Sequence, residues 1–189
     1  MSCSSIHDRR NCIVNDRTDT TPFVTRVVLI IVMAITLATL GMLLLGWFDP
    51  GNPADIALIL WFFTGLFVLR VVGQILVAVR PRQWLPPMEQ WNFVPYPVLL
   101  PIQLVFIAVM MWIDVSFSMN VGISTVKNPG TGNILIAFSY VYVIAMVIRY
   151  TIKMSRRPDQ RWFGGTIPII FHIVLASYLY TLGSFYVSA

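Results

Sequence analysis

Two arginines stand inside otherwise apolar sequence. Arg70 follows Leu66-Phe67-Val68-Leu69 and Arg149 follows Met146-Val147-Ile148, each about 16 residues into its run. A charged side chain at the centre of a bilayer costs about 2.5–3.5 kcal/mol on insertion scales, so it is retained for a reason. One reason is anchoring, with the long stem carrying the charge to the interface. The other is recognition of an anion. Arg80, Arg82, Lys153, Arg156 and Arg157 follow the same two runs. Together with Arg70 and Arg149 they form a candidate basic site for a lipid headgroup or phosphate.

His172 is the only histidine in an apolar run. An imidazole there could ligate haem iron, serve a quinone or carry a proton. A b-type haem needs a second axial ligand, and His7 in the polar tail is a poor one, so a hydrogen-bonded packing histidine is the expectation. Asp114 closes its run without a second carboxyl beside it, which removes two-carboxyl acid/base chemistry. It is expected near the membrane surface, hydrated. Glu89 lies between Trp84 and Trp91 and is expected to pair with Arg80 or Arg82. Gln74 and Gln103 are expected to hydrogen-bond between helices, a contribution of about 0.6 kcal/mol each. In the last run, Tyr178, Thr181 and Ser177 share a face by helical spacing, which is therefore expected to meet protein.

No catalytic residue set emerges. Glycine-rich phosphate loops, His-Glu-x-x-His, Gly-x-Ser-x-Gly and Cys-x-x-Cys patterns are missing from the sequence. The two cysteines, Cys3 and Cys12, both lie in the amino-terminal tail, so neither a disulfide framework nor a paired-cysteine zinc site is available.

The elements that must position these groups follow from composition. The chain has 189 residues, 57% hydrophobic and 11% charged, whereas soluble domains carry about 25% charged residues. At about 20 apolar residues per crossing, five helices account for most of it. The expected fold is an all-α integral membrane protein: a tail over 1–22, then a membrane domain over 23–189 with spans at 23–47, 54–79, 97–114, 133–152 and 166–187. The first span is too long for a signal h-region and lacks a small-residue cleavage site, so it reads as a retained helix. Trp84 and Trp91, in an aromatic and proline-rich segment, and Trp162, in a short basic connection, are expected as interfacial anchors.

Charge orients the chain. Twelve of the thirteen Lys and Arg residues fall in the tail or beside the ends of spans two and four, and Lys127 is the exception. With the acids added, one side has twelve basic against five acidic residues and the other one against three, net +7 and −2. Lys/Arg bias in short loops sets orientation, so the amino terminus is expected in the cytoplasm and the carboxyl terminus outside. The formal charge of +5 is thus explained by topology, and nucleic acid is not expected as a partner.

A shift of 79 residues lays Trp61 on Tyr140, Leu69-Arg70 on Ile148-Arg149 and Gln74 on Lys153. Each exit then has an Arg, a Pro and a Trp: Arg80-Pro81-Arg82-Gln83-Trp84 and Arg157-Pro158-Asp159-Gln160-Arg161-Trp162. This suggests a parallel repeat of helical hairpins, spans 2–3 and 4–5.

The functional expectation is a non-catalytic subunit or scaffold of a larger membrane complex, with membrane lipids and other membrane subunits as partners. The alternatives are a small enzyme or carrier acting on an anionic lipid, and a redox subunit using His172. A bacterial cytoplasmic membrane, or the equivalent organelle membrane, is the expected location.

Overall fold

Local backbone geometry accounts for several of the helix starts and stops. In the computed structural model, which describes residues 23–79, 96–122, 125–156 and 166–188, five helices are long and apolar enough to cross a membrane. Among the described residues there is no strand. The helices are α1 (Phe23–Leu44), α2 (Pro53–Val79), α3 (Tyr96–Met119), α4 (Pro129–Arg156) and α5 (Thr166–Val187). The tail over 1–22, with Cys3 and Cys12, lies outside the described residues, as does Glu89.

Helix α1 stops three residues before the expected position because Gly46 adopts φ 75°. Gly46 N–H then donates to Leu43 O and Trp47 N–H to Met42 O, the paired bonds of a Schellman stop. Helix α2 opens on an Asn-Pro start: Asn52 Oδ1 accepts from Ala54 N–H at 3.1 Å, and Pro53 takes the first helical position, where its missing N–H costs nothing.

Helix α3 corrects the expected boundary at Asp114 by running on to Met119. The polar residues beyond Asp114 are absorbed into the helix, Ser116 Oγ donating to Trp112 O and Ser118 Oγ to Asp114 O. The stop comes at Asn120, φ 50°, with Val121 N–H donating to Ser116 O. Helix α4 begins four residues before the expected position. Asn128-Pro129 reads as a turn by composition but acts as a helix start: Asn128 Oδ1 accepts from Thr131 N–H, and Asn128 O takes the first backbone bond, from Gly132. The far end of α4 extends to Arg156 and takes in the start of the expected connection.

Helices α2 and α5 form the centre. α3 packs along α2, α4 along α5, and α1 lies more lightly across α5 and α2. The core stripe of α2 runs Ile56, Leu60, Phe63, Phe67, Arg70, Gln74, Val77, the spacing of one helix face. Opposite it stand Phe171, Val174, Tyr178, Leu182 and Phe185 of α5. Outward faces of α1, α3 and α4 expose Ile30, Leu37, Phe106, Trp112, Phe138, Val141 and Ile148. Apolar faces of this kind suit lipid, since about 20 such residues per helix match the hydrocarbon thickness.

At the end carrying the α1–α2 turn, Asp49 Oδ1 accepts from Gly51 N–H at 2.8 Å. The Ser188 hydroxyl, just past α5, lies 3.1 Å from Pro50 O. Lys127 Nζ rests over the Phe185 ring at 5.7 Å, so this basic residue has an aromatic seat.

Candidate functional site

Two polar layers are built into the apolar centre, and antiparallel α2 and α5 set their spacing. On α2, Thr64 and Arg70 are six residues apart, as are Tyr178 and His172 on α5. At 1.5 Å rise per residue, each separation is about 9 Å. Residues 64 and 178 share one layer and residues 70 and 172 the other.

The first layer centres on Arg70. Its place on the α2 core stripe turns the side chain inward, leaving it 7% exposed. The guanidinium carbon lies 5.9 Å from the Phe67 ring centroid and 5.5 Å from that of Phe171. Such contacts contribute about 0.5–2 kcal/mol each, of the same order as the cost of placing the charge in the membrane. They do not satisfy its donors, and the buried Nε has no hydrogen-bond partner. Gln74, one turn on, is fully buried.

His172, on the next position after Phe171, places Nδ1 2.8 Å from the Tyr142 hydroxyl of α4, with the two rings edge to face at 5.5 Å between centroids. Phe138 stacks on the other aromatic partner, Tyr142, at 5.7 Å. Arg70 and Arg149 are both close enough to act electrostatically on this pair. Arg70 is buried, however, and Arg149 is exposed. The two arginines related by the 79-residue shift therefore occupy different environments.

The second layer corrects the expectation for Asp114. Instead of meeting water it is 0% exposed. Helix α3 continues beyond it, and α2 and α5 cover it. Tyr178 donates its hydroxyl to Asp114 Oδ1 at 3.0 Å, and Met110 O lies 3.4 Å from the same hydroxyl. Thr64 faces the carboxylate from α2. Neither Thr64 Oγ1 nor Asp114 Oδ2 completes a hydrogen bond. Nearby, Trp61 Nε1 donates to Ser118 Oγ at 2.9 Å. The expected protein-facing side of α5 is present, with Ser177, Tyr178 and Thr181 all buried. Ser177 and Thr181 make local bonds to carbonyls four residues back. Gln103 is buried, but its Oε1 makes no hydrogen bond, so an interhelical bond through that atom is not formed.

Arg80, Arg82, Arg157, Trp84, Trp91 and Trp162 lie outside the described residues. Lys153 and Arg156 fall in the last turns of α4, where the backbone alone is described. Of the expected basic cluster, the structure thus describes the side chains of Arg70, buried, and Arg149, exposed. Among the described residues no group of three or more His, Cys, Asp or Glu side chains could hold a metal ion.

Sequence reasoning passed over Thr64 and Tyr142. The signal for Thr64 was present: it flanks the apolar stripe defined by Ile56, Leu60, Phe63 and Phe67. Tyr142 continues a small or polar face of α4 with Gly132 and Ser139, and Ser139 Oγ donates to Ala176 O across the α4–α5 contact at 2.9 Å. No family model, curated protein or solved structure matches the chain.

Proposed function

We propose that the chain is a non-catalytic integral membrane subunit whose basic end holds an anionic phosphate group, supplied by a lipid headgroup. The observation that carries this reading is Arg70: a buried guanidinium, seated on Phe67 and Phe171, with a donor left without a partner. A buried donor left without an acceptor costs about 1–3 kcal/mol, more when charged. A phosphate oxygen reaching it from the interface would remove that cost, and basic pockets between helices bind headgroups in this way.

The proposed orientation, amino terminus in the cytoplasm, rests on the +7 against −2 charge balance. It puts Arg70, Arg149 and the end of α4 toward the anionic inner leaflet of a bacterial cytoplasmic membrane or its organelle equivalent. The proposed relation between hairpins α2–α3 and α4–α5 rests on the 79-residue shift that lays Leu69-Arg70 on Ile148-Arg149; the Asn52-Pro53 and Asn128-Pro129 helix starts, 76 residues apart, fall out of that register. The subunit reading is supported by the long apolar faces that α3, packed on α2, and α4, packed on α5, present outward.

The test is native mass spectrometry of the full chain released from phosphatidylcholine nanodiscs, with or without phosphatidylglycerol, and in a separate arm with inorganic phosphate. Wild type is expected to retain phosphatidylglycerol, and Arg70→Gln to lose it. Equal retention by a folded Arg70→Gln protein overturns the lipid site. Retention of inorganic phosphate with no preference for phosphatidylglycerol assigns the site to free anion. Purification from the native membrane as a bare monomer counts against the subunit reading.

The Tyr142–His172 pair beside Arg70 supports a second reading, an enzyme or carrier acting on the same anionic lipid. It predicts chemical change or transbilayer movement of phosphatidylglycerol that Tyr142→Phe and His172→Gln abolish.

A further inference from the structure

Asp114 is the only acidic residue in the five helices beyond a first turn. It sits between about 8 Å and 16 Å from the Asp49 end, counted along α3, α5 and α2 at 1.5 Å per residue. Among the described residues its surroundings contain no compensating cation. From α2 the facing group is Thr64, and the next ionisable residue on that helix is Arg70, in the other layer. From α5 it is Tyr178, with Tyr186 close to Tyr178 and His172 in the other layer. Helix α3 holds no other charged residue, and the described side chains of α1 hold none. Lys127 is engaged with Phe185, whose far neighbour is Phe117, three residues past Asp114.

An ionised carboxylate in this setting would be desolvated without a partner ion, the arrangement least tolerated in a low-dielectric interior. The hydrogen-bond inventory points to the remedy. One carboxyl oxygen, Oδ1, already accepts from Tyr178. The other, Oδ2, is unpartnered, and so is the buried Thr64 hydroxyl facing it. Other hydroxyls in the spans, among them Thr36, Thr39, Thr151, Thr181 and Ser184, donate to the carbonyl four residues back. Thr64 does not, which leaves its oxygen available as an acceptor toward α3.

We infer that Asp114 is an intramembrane proton-binding site whose carboxyl group, protonated on Oδ2, donates to Thr64 Oγ1 while Oδ1 accepts from Tyr178. Loading transfers one proton from hydronium to the carboxylate, giving a carboxylic acid and water. Unloading returns the proton to water, and Thr64 turns its hydrogen to the carboxylate. The two states differ in one O–H and one hydroxyl rotation at the meeting point of α2, α3 and α5. The ligand is a proton and not a metal cation, because a hard cation requires about six oxygens and this site offers two unfilled ones beside a phenol that donates inward.

The test is infrared difference spectroscopy of the full chain in phosphatidylcholine nanodiscs as pH is cycled. A carboxylic-acid carbonyl band is expected to grow reversibly as pH falls. Asp114→Asn should abolish it, and Thr64→Val should move it to higher frequency by removing the acceptor. If Asp114→Asn fails to fold, the Thr64→Val shift decides alone, and an unshifted band overturns the site. So does a folded wild-type protein with no reversible band, or a band that persists in Asp114→Asn. Suppression of the band by sodium or potassium at fixed pH overturns the proton assignment in favour of a cation.

Discussion

Gly132 of α4 and Gly183 of α5 bring two helix backbones into direct contact. A Cβ added to Gly183 would lie 3.0 Å from the Gly132 carbonyl oxygen, and one added to Gly132 would lie 2.8 Å from the Gly183 carbonyl oxygen. Small residues allow close approach of this kind, and in a membrane it substitutes for the hydrophobic driving force that lipid removes. The contact fixes the α4–α5 pair, and with it the meeting of Tyr142 and His172.

Gly132→Ala and Gly183→Ala are therefore expected to destabilise the bundle by about 1–3 kcal/mol each, the usual cost of overpacking. Reversible unfolding in bicelles measures it. Gly65→Ala is the control: nothing lies within 4 Å of its added Cβ, so it should be neutral or stabilise by up to about 1 kcal/mol through helix propensity. Equal losses at all three sites would contradict the close-approach account.

Tyr178→Phe keeps the ring and removes the donor to Asp114 Oδ1. Stranding a buried acceptor in this way costs about 1–3 kcal/mol. Tyr180→Phe, at a half-buried ring, is expected to cost much less. Comparing the two by the same unfolding measurement separates loss of the Asp114 bond from loss of a hydroxyl in general.

Tyr142→Phe releases His172 Nδ1 from its 2.8 Å contact. A stability loss of about 0.5–1.5 kcal/mol is expected, with faster modification of His172 by an imidazole-directed acylating reagent, followed by peptide mapping. Unchanged modification would show that packing, and not the hydrogen bond, shields the ring.

Arg70 and Arg149 are expected to respond differently to substitution. Arg70→Lys preserves charge but replaces a planar group lying over Phe67 and Phe171 with a compact ammonium. It should lower phosphatidylglycerol retention several-fold, whereas Arg149→Lys, on an exposed face, should change it little. Matching losses would restore the equivalence that the 79-residue shift suggests.

Orientation is tested with an impermeant thiol reagent on intact cells. In a Cys3→Ser/Cys12→Ser background, Lys127→Cys should be labelled from outside and Ser2→Cys only after the cells are opened. The reverse pattern would refute the charge-based assignment.

The five spans were legible because a membrane demands a long apolar run for every crossing, and that demand is written in composition. Some ends were legible too. The start of α2 at Asn52-Pro53 fell within a residue of the expected one, whereas Gly46 ended α1 three residues early and Asn128-Pro129-Gly130 resembles a turn until the bonds to Thr131 and Gly132 are counted. The extension of α3 past Asp114 was hidden because Ser116 and Ser118 look like loop residues. Only their bonds to Trp112 and Asp114 carbonyls make them helical.

What the sequence determined alone was span number and the charge asymmetry, both properties of one segment against lipid or water. That Arg70 sits on the core-facing stripe from Ile56 to Val77 was decided by packing, because the apolar residues all round α2 leave its inward face unmarked in the sequence. Which polar groups meet was decided by tertiary structure. Tyr178 lies 64 residues from Asp114 and Tyr142 lies 30 from His172, and apolar helices of similar hydrophobicity carry little local information about their neighbours. The pairing was set by shape: two glycines drew α4 onto α5, and the α2–α5 crossing closed over Asp114, turning a residue that reads as a helix-end acid into a buried carboxyl group.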